Sequence, residues 1–310
     1  MIKSLVPTPF PSRLTIEATS RCNLGCLFCP RHLVKMALGD MDWGLYCKII
    51  DEAAQHLPVT LVLFFRGESL IHPRLAEMIK YAKERGLGPI QLASNGFLLT
   101  PERGRELIEA GLDFISFSLD TNDETVYGQT RLKSDLAIAR NNVVNFVKLA
   151  SEMEKAGHKR PEIQVSSVDV ADYRAGQADF IDFWRQYADR VRIYVEHSAD
   201  GNLGSISPSL ADHTLERKAC QKVFSDMVIY WDGTVALCNH DWATGANLCN
   251  VSENSIADVW DSPPYNEIRR AHQEGRIPEA LACAKCDHWR MYYSSEGFLG
   301  QVYEKKEPLK

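Results

Sequence analysis

Six short runs rich in aliphatic, aromatic and β-branched residues recur in the first 195 residues, separated by longer stretches with apolar residues at helical spacing. The runs are Leu14 to Ala18, Val59 to Phe64, Ile90 to Ala93, Phe114 to Leu119, Glu162 to Val168 and Val191 to Val195. Trp43 to His56, Arg74 to Arg85, Pro101 to Ala110, Ser134 to Ala156 and Ala175 to Tyr187 are the amphipathic stretches between them. A chain that alternates in this way cannot pair successive strands as hairpins. Each strand must return across a helix to lie parallel to the one before it, in a right-handed crossover. Six such units predict an α/β fold, an open or partial (β/α)6 barrel.

The alternation stops at Gly201 to Asp212, where Gly, Ser and Pro cluster as in a linker. Beyond it, Met227 to Tyr230 and Thr234 to Leu237 flank an Asp232-Gly233 turn and read as a β-hairpin. Short helices are expected at Ile256 to Trp260 and Tyr265 to Gln273, followed by the pair Cys283 and Cys286. Two domains are therefore predicted, a barrel over 1–212 and a small hairpin-and-helix domain over 213–310.

With 310 residues, 45% of them apolar, the chain can bury a full core. A net charge of -6 without any Lys or Arg run argues against nucleic-acid binding. The longest apolar run, Leu57 to Phe65, is too short for a membrane span and is interrupted by Pro58 and Thr60. Residues 1–7 lack the apolar centre of a secretion signal, so a cytoplasmic location is expected. In that compartment nine cysteines are better read as metal ligands or reactive thiols than as disulfides.

Directly after the first strand, Cys22, Cys26 and Cys29 fall within eight residues. Three soft thiolates in one short loop can wrap a [4Fe-4S] cubane and leave one iron open. The competing reading is a zinc knuckle completed by His32. The spacing Cys-x3-Cys-x-aromatic-Cys, with Phe28 as the aromatic, resembles the signature of the radical S-adenosylmethionine (SAM) superfamily. That resemblance implies a [4Fe-4S] cluster whose open iron is chelated by SAM.

Further positions match the same family. Gly67 and Glu68, within Arg66-Gly67-Glu68-Ser69, resemble a Gly-Gly-Glu-Pro element that holds the SAM ammonium, with Arg66 and Ser69 as departures. Ser94-Asn95-Gly96 resembles an element near the SAM ribose. Ser118-Leu119-Asp120 with downstream Arg131 resembles residues that reach the ribose and carboxylate.

Cys220 and Cys238 bracket the predicted hairpin, and with Cys283 and Cys286 they could close a second site. A four-cysteine zinc ribbon shares this grammar. Beside a radical SAM barrel, the arrangement resembles the twitch domain, a shortened SPASM domain that binds one auxiliary [4Fe-4S] cluster.

Two cysteines remain. Cys47 lies on an apolar helical stripe and is assigned no chemistry. Cys249 sits in a connection rich in Gly and Asn, where a thiol could return hydrogen to a substrate radical; an inert buried thiol or a substitute cluster ligand are the alternatives. Such a donor must be protonated, unlike a nucleophilic thiolate.

The whole pattern resembles the radical SAM aminoglycoside epimerases. It implies inversion at one aminosugar carbon, SAM consumed as co-substrate, and an electron donor such as flavodoxin or ferredoxin. A cationic aminoglycoside would be held by carboxylates, for which Glu17, Asp120, Glu196, Asp226 and Asp241, with His240, are the expected residues. The rival enzyme is a dehydrogenase of an aminocyclitol or aminoglycoside alcohol, which needs no thiol donor. A non-catalytic iron-sulfur or zinc protein would have no use for the SAM-contact series.

Overall fold

The computed structural model describes residues 5–195, 216–242, 248–284, 286, 288–293 and 300–306. Six strands appear where the apolar runs place them: β1 (Arg13–Ile16), β2 (Thr60–Val62), β3 (Ile90–Ser94), β4 (Phe114–Ser118), β5 (Glu162–Asp169) and β6 (Arg190–Val195). They pair in parallel, each with its successor. The crossover helices include α1 (Trp43–Ala53), α2 (Leu75–Glu84), α3 (Pro101–Glu109), α4 (Glu124–Thr130), α5 (Leu136–Lys155), α6 (Ala171–Arg174) and α7 (Gln177–Trp184).

Alternation along the strands sets the layers. In β4, Ile115 and Phe117 lie in the main hydrophobic core, while Ser116 meets the Gln164 amide on the other face at 2.8 Å. Helix α5 buries Leu136, Ala139, Val143, Phe146, Val147, Ala150 and Met153, one stripe at helical spacing. Side-chain caps start several helices: Asp42 accepts from the Leu45 amide, Thr100 from Arg103 ahead of Pro101, and Asp135 from Ile138.

Among the described residues the sheet does not close on itself. Beside β1 lies β7 (Asp226–Ile229), parallel to it in the register Arg13 to Asp226 through Ile16 to Ile229. The hairpin partner β8 (Thr234–Ala236) and then β9 (Leu248–Asn250) follow, both antiparallel to their neighbours. At the opposite edge, β10 (Gln301–Glu304) pairs antiparallel with β6. The expected hairpin thus forms and pairs directly with the barrel sheet, which with β9 and β10 runs to ten strands. The expected linker and the boundary at 212 lie outside the described residues. Helices α8 (Ile256–Trp260) and α9 (Pro263–Glu274) complete this region; Gly275, with φ 69°, ends α9 in the left-handed conformation. Among the described residues, no helix is long and apolar enough to cross a membrane.

Candidate functional site

The loop leaving the C-terminal end of β1 is pinned at its base. Thr19 Oγ1 donates to Asp40 Oδ1 at 2.6 Å, and the Ser20 amide donates to the Gly39 carbonyl at 3.0 Å. Between these points lie all three cysteines of the first cluster. Gly25 and Cys26 form a two-residue ribbon with Arg131 and Leu132, and the Cys29 amide donates to the Cys26 carbonyl at 3.2 Å. The three thiols are half-buried. Burial raises all three, Cys26 to about 11, against the lowering field of Arg131. They are therefore protonated at neutral pH, and a metal must displace those protons to bind. Arg131 Nη1 stands 3.9 Å from Cys26 Sγ, placing a cation where three thiolates would gather charge. Three soft donors beside a guanidinium fit a cubane with one iron left for a non-protein ligand.

The strand-end residues converge on this loop. A Cβ on Gly67 would stand 2.2 Å from the Thr19 carbonyl oxygen, so only glycine lets the loop after β2 lie against the cysteine loop. Buried Glu68 accepts from the amides of Leu70 at 3.1 Å and Asn95 at 2.8 Å, tying the ends of β2 and β3 together. Asn95 Nδ2 donates to Asn23 Oδ1 at 3.0 Å, reaching back into the cysteine loop. Ser94 Oγ accepts from the Gly96 amide at 3.0 Å. After Ser118 at the end of β4, Asp120 turns with φ 65°, a conformation that aspartate tolerates better than most residues. Arg131 Nε donates to Asp120 Oδ2 at 2.6 Å, and its guanidinium carbon lies 5.3 Å from the Phe28 ring centre.

Several expected substrate carboxylates are instead satisfied within the protein. Glu17 is fully buried and receives Arg66 Nε and Nη2 at 2.8 and 2.7 Å, so it meets an internal cation and not a polyamine. Asp120 is likewise buried against Arg131. Asp241 is buried and accepts from the Leu237 amide at 3.2 Å. Asp226 begins β7 level with Arg13, at the end of β1 opposite the cysteine loop, and accepts from Ser225 Oγ at 2.6 Å. His240 lines the second cysteine cavity, its ring 4.2 Å from that of His288. Glu196 lies outside the described residues. Arg66, a departure from the family element, acts as an internal partner: besides Glu17 it reaches the Trp242 carbonyl at 3.3 Å and lies 3.4 Å from the Tyr230 ring centre. A buried carboxylate in the sequence run before the cysteines was the available signal for that cation.

Cys220, Cys238, Cys283 and Cys286 line one cavity with His240, His288, Trp289, Arg217 and Lys222. Sequence reasoning did not single out the two cations or His288. Cys220 precedes the 3-10 turn Gln221–Phe224, Cys238 follows β8, and Cys283 lies on the turn Ala282–Ala284. Burial raises Cys220 and Cys238 to about 12 and Cys283 further still, with the thiols repelling one another as they ionise. Among the described residues no group of three or more Cys, His, Asp or Glu stands in metal-holding geometry; by donor chemistry, the four thiols lining this one cavity fit a metal or cluster closed by protein ligands alone. His272 Nδ1 accepts from the Cys220 amide at 3.2 Å and fixes that backbone.

Cys249 stands apart from both groups. Of the nine cysteines it alone is exposed. It lies on β9, where Thr234 pairs with Asn250 and Val235 with Leu248; the register shifts between them, leaving Cys249 as the extra residue of a bulge. Bulges re-aim side chains and recur beside active sites. Cys47, on α1, is half-buried.

Residues 16–156 match the radical SAM superfamily and residues 220–287 an iron-sulfur cluster-binding domain of the SPASM type. The chain thus carries a radical SAM domain followed by a SPASM-type iron-sulfur domain. The first domain binds a [4Fe-4S] cluster and SAM, and the second carries auxiliary iron-sulfur chemistry. Among its relatives, a tungsten-containing aldehyde ferredoxin oxidoreductase cofactor-modifying protein from Pyrococcus furiosus is 26% identical over 88% of this chain and 87% of its own. A PqqA peptide cyclase from Granulibacter bethesdensis is 26% identical over 89% and 80%. Among solved structures, BtrN in complex with AdoMet and 2-DOIA superposes with a TM-score of 0.55 at 19% identity, covering 85% of this chain and 87% of BtrN. Streptococcus suis SuiB bound to its precursor peptide SuiA gives 0.65 at 17% identity, covering 85% and 67%.

Proposed function

We propose that the protein is a radical SAM epimerase that inverts one carbon of an aminoglycoside aminosugar, converting neomycin C to neomycin B, with Cys249 as hydrogen donor. The observation that carries this reading is Cys249 itself: an exposed thiol on a bulged edge strand, outside both groups of ligand cysteines. Cys22, Cys26 and Cys29 would hold the SAM-binding cluster, with Phe28, Gly67, Glu68, Ser94, Asn95, Ser118 and Arg131 around SAM. Cys220, Cys238, Cys283 and Cys286 would hold a single auxiliary cluster, as in a twitch domain.

When bound, the cluster and SAM supply a 5'-deoxyadenosyl radical capable of removing hydrogen from an unactivated carbon. Cys249 then breaks its S–H bond and a new C–H bond forms on the opposite face of the substrate radical, leaving a thiyl. One electron from a low-potential donor of the flavodoxin or ferredoxin class, with one proton, restores the thiol. The alternative, a dehydrogenase of an aminocyclitol or aminoglycoside alcohol, is favoured by the likeness in fold, over 85% of this chain, to BtrN with AdoMet and 2-DOIA. In that case the substrate radical would give up a proton to solvent and one electron to the auxiliary centre that Cys220, Cys238, Cys283 and Cys286 would hold, and no thiol donor takes part.

The experiment is anaerobic turnover of neomycin C with SAM and dithionite in deuterated water, comparing wild type with Cys249→Ala by mass spectrometry. An epimer carrying one deuterium from wild type, with 5'-deoxyadenosine but no epimer from the variant, supports the donor role. A product two mass units lighter establishes the dehydrogenase instead, and normal epimerisation by Cys249→Ala removes Cys249 from the mechanism.

A further inference from the structure

The described lining of the cavity formed by Cys220, Cys238, Cys283 and Cys286 carries cations, with the nearest carboxylates, Asp226 and Asp241, outside it. Its described lining includes two cationic side chains, Arg217 and Lys222, and no carboxylate. Arg217 Nη1 donates to the Cys286 carbonyl at 2.6 Å, and its guanidinium carbon lies 5.3 Å from the Trp289 ring centre. Its Nε is buried with no hydrogen-bond partner among the described residues. Leaving such a charged donor without a partner is costly unless a negative group faces it. The groups that can face it as anions are Cys283, Cys286 and Cys220, which fall within its field and become thiolates once a metal displaces their protons. Lys222, largely buried, donates from Nζ to Asn239 Oδ1 at 2.6 Å and stands 4.0 Å from Asp226 Oδ2, so its charge is shared between that carboxylate and the neighbouring Cys220 and Cys238.

Four thiolates on a cubane make a dianion that becomes more negative when it accepts an electron. Net charge, hydrogen bonds to sulfur and solvent exposure set the potential of such a centre. Two cations in a partly desolvated wall stabilise the more negative state, because their attraction is weakly screened there. We propose that Arg217 and Lys222 tune the auxiliary centre, raising its reduction potential above what the four cysteines alone would give. The proposal rests on those cysteines holding an iron-sulfur cluster, but it is independent of the substrate and of Cys249.

The test uses the full-length chain with Cys22, Cys26 and Cys29 replaced by alanine, so that only the second site can hold iron. After anaerobic reconstitution, a redox titration followed by electron paramagnetic resonance reads the midpoint potential. Arg217→Gln should lower the reduced-to-oxidised ratio at a fixed potential about tenfold, a shift of about 59 mV for one electron. Arg217→Lys, which keeps the charge, should restore most of that shift. Lys222→Met should move the potential in the same direction by less, and it carries the test if Arg217→Gln fails to retain iron. Unchanged midpoints at unchanged iron and sulfide content would overturn the tuning role. A parent that takes up no iron would overturn both the tuning role and the ligand assignment, while leaving the turnover experiment with neomycin C free to decide the epimerase reading.

Discussion

Asp120 and Arg131 show how one pair of residues can serve fold and site together. Both are buried, and the carboxylate is aimed by a left-handed backbone turn at a guanidinium that also faces Cys26. Removing one member of a buried pair leaves an uncompensated charge, which costs about 3–5 kcal/mol. Arg131→Ala should therefore lower unfolding stability by about that amount in urea denaturation of the apoprotein, whereas Asp120→Asn with Arg131→Met should recover part of it. Iron retained by the three-cysteine loop should fall in Arg131→Ala even at temperatures where the fold survives. The cysteines of this loop were legible in the sequence because their spacing is local. The Glu17–Arg66 pair was not, because its members are 49 positions apart and only the parallel pairing of β1 with β2 brings them together. Glu17 therefore read as a substrate ligand and Arg66 as a mere departure.

The elements were legible to the extent that periodicity marks them. Long strands and helices carry many repeats of their pattern, and all six barrel strands lie where alternation put them. The ribbon of Gly25–Cys26 with Arg131–Leu132, two residues to a side, has no period to read, and the edge strand Gln301–Glu304 depends on its neighbour for a partner. How elements are fastened together is testable at Asp113, just before β4. Its carboxylate accepts from the Ile90 amide at 2.7 Å, Lys83 at 3.0 Å and Lys159 at 2.5 Å, bracing the start of β3. Burial pushes this carboxyl up, but Lys159, the Ile90 amide and Lys83 together hold it below its ordinary value of 3.8. Its stabilising contribution is thus present at neutral pH and lost as pH falls below about 4. Asp113→Asn should cost about 1–2 kcal/mol at pH 7, and chemical denaturation should show wild type and variant converging in acid. At the loop after β2, Gly67→Ala must push the Thr19 to Arg21 backbone away. Iron analysis should then show loss from the first site, with the second site, far along the chain, still loaded.

At the scale of the molecule, the C-terminal region is joined to the barrel by one continuous sheet, and by a cluster of side chains centred on Arg66. That guanidinium is held by Glu17 from the end of β1, stacks on Tyr230 from the end of β7 and reaches the Trp242 carbonyl beyond the hairpin. Phe65 packs beside it against both aromatic rings, with centroids 5.7 Å from Tyr230 and 5.4 Å from Trp242. A sequence reading divides these segments between two domains because their grammars differ; the pairing of β7 with β1 places them side by side. If this cluster couples the two cysteine regions, its energy should be cooperative. Glu17→Gln strands a buried cation and should cost about 3–5 kcal/mol, while Glu17→Leu combined with Arg66→Met should cost less than the sum of its single changes, since an apolar pair can replace a buried ion pair with little loss. Urea denaturation of the apoprotein for both singles and the double gives the coupling energy directly. The fluorescence of Trp242, compared with that of a Trp242→Phe control, reports whether the segment after the hairpin detaches first. Additive losses, with Trp242 unfolding together with the rest, would show that the continuous sheet alone joins the two regions.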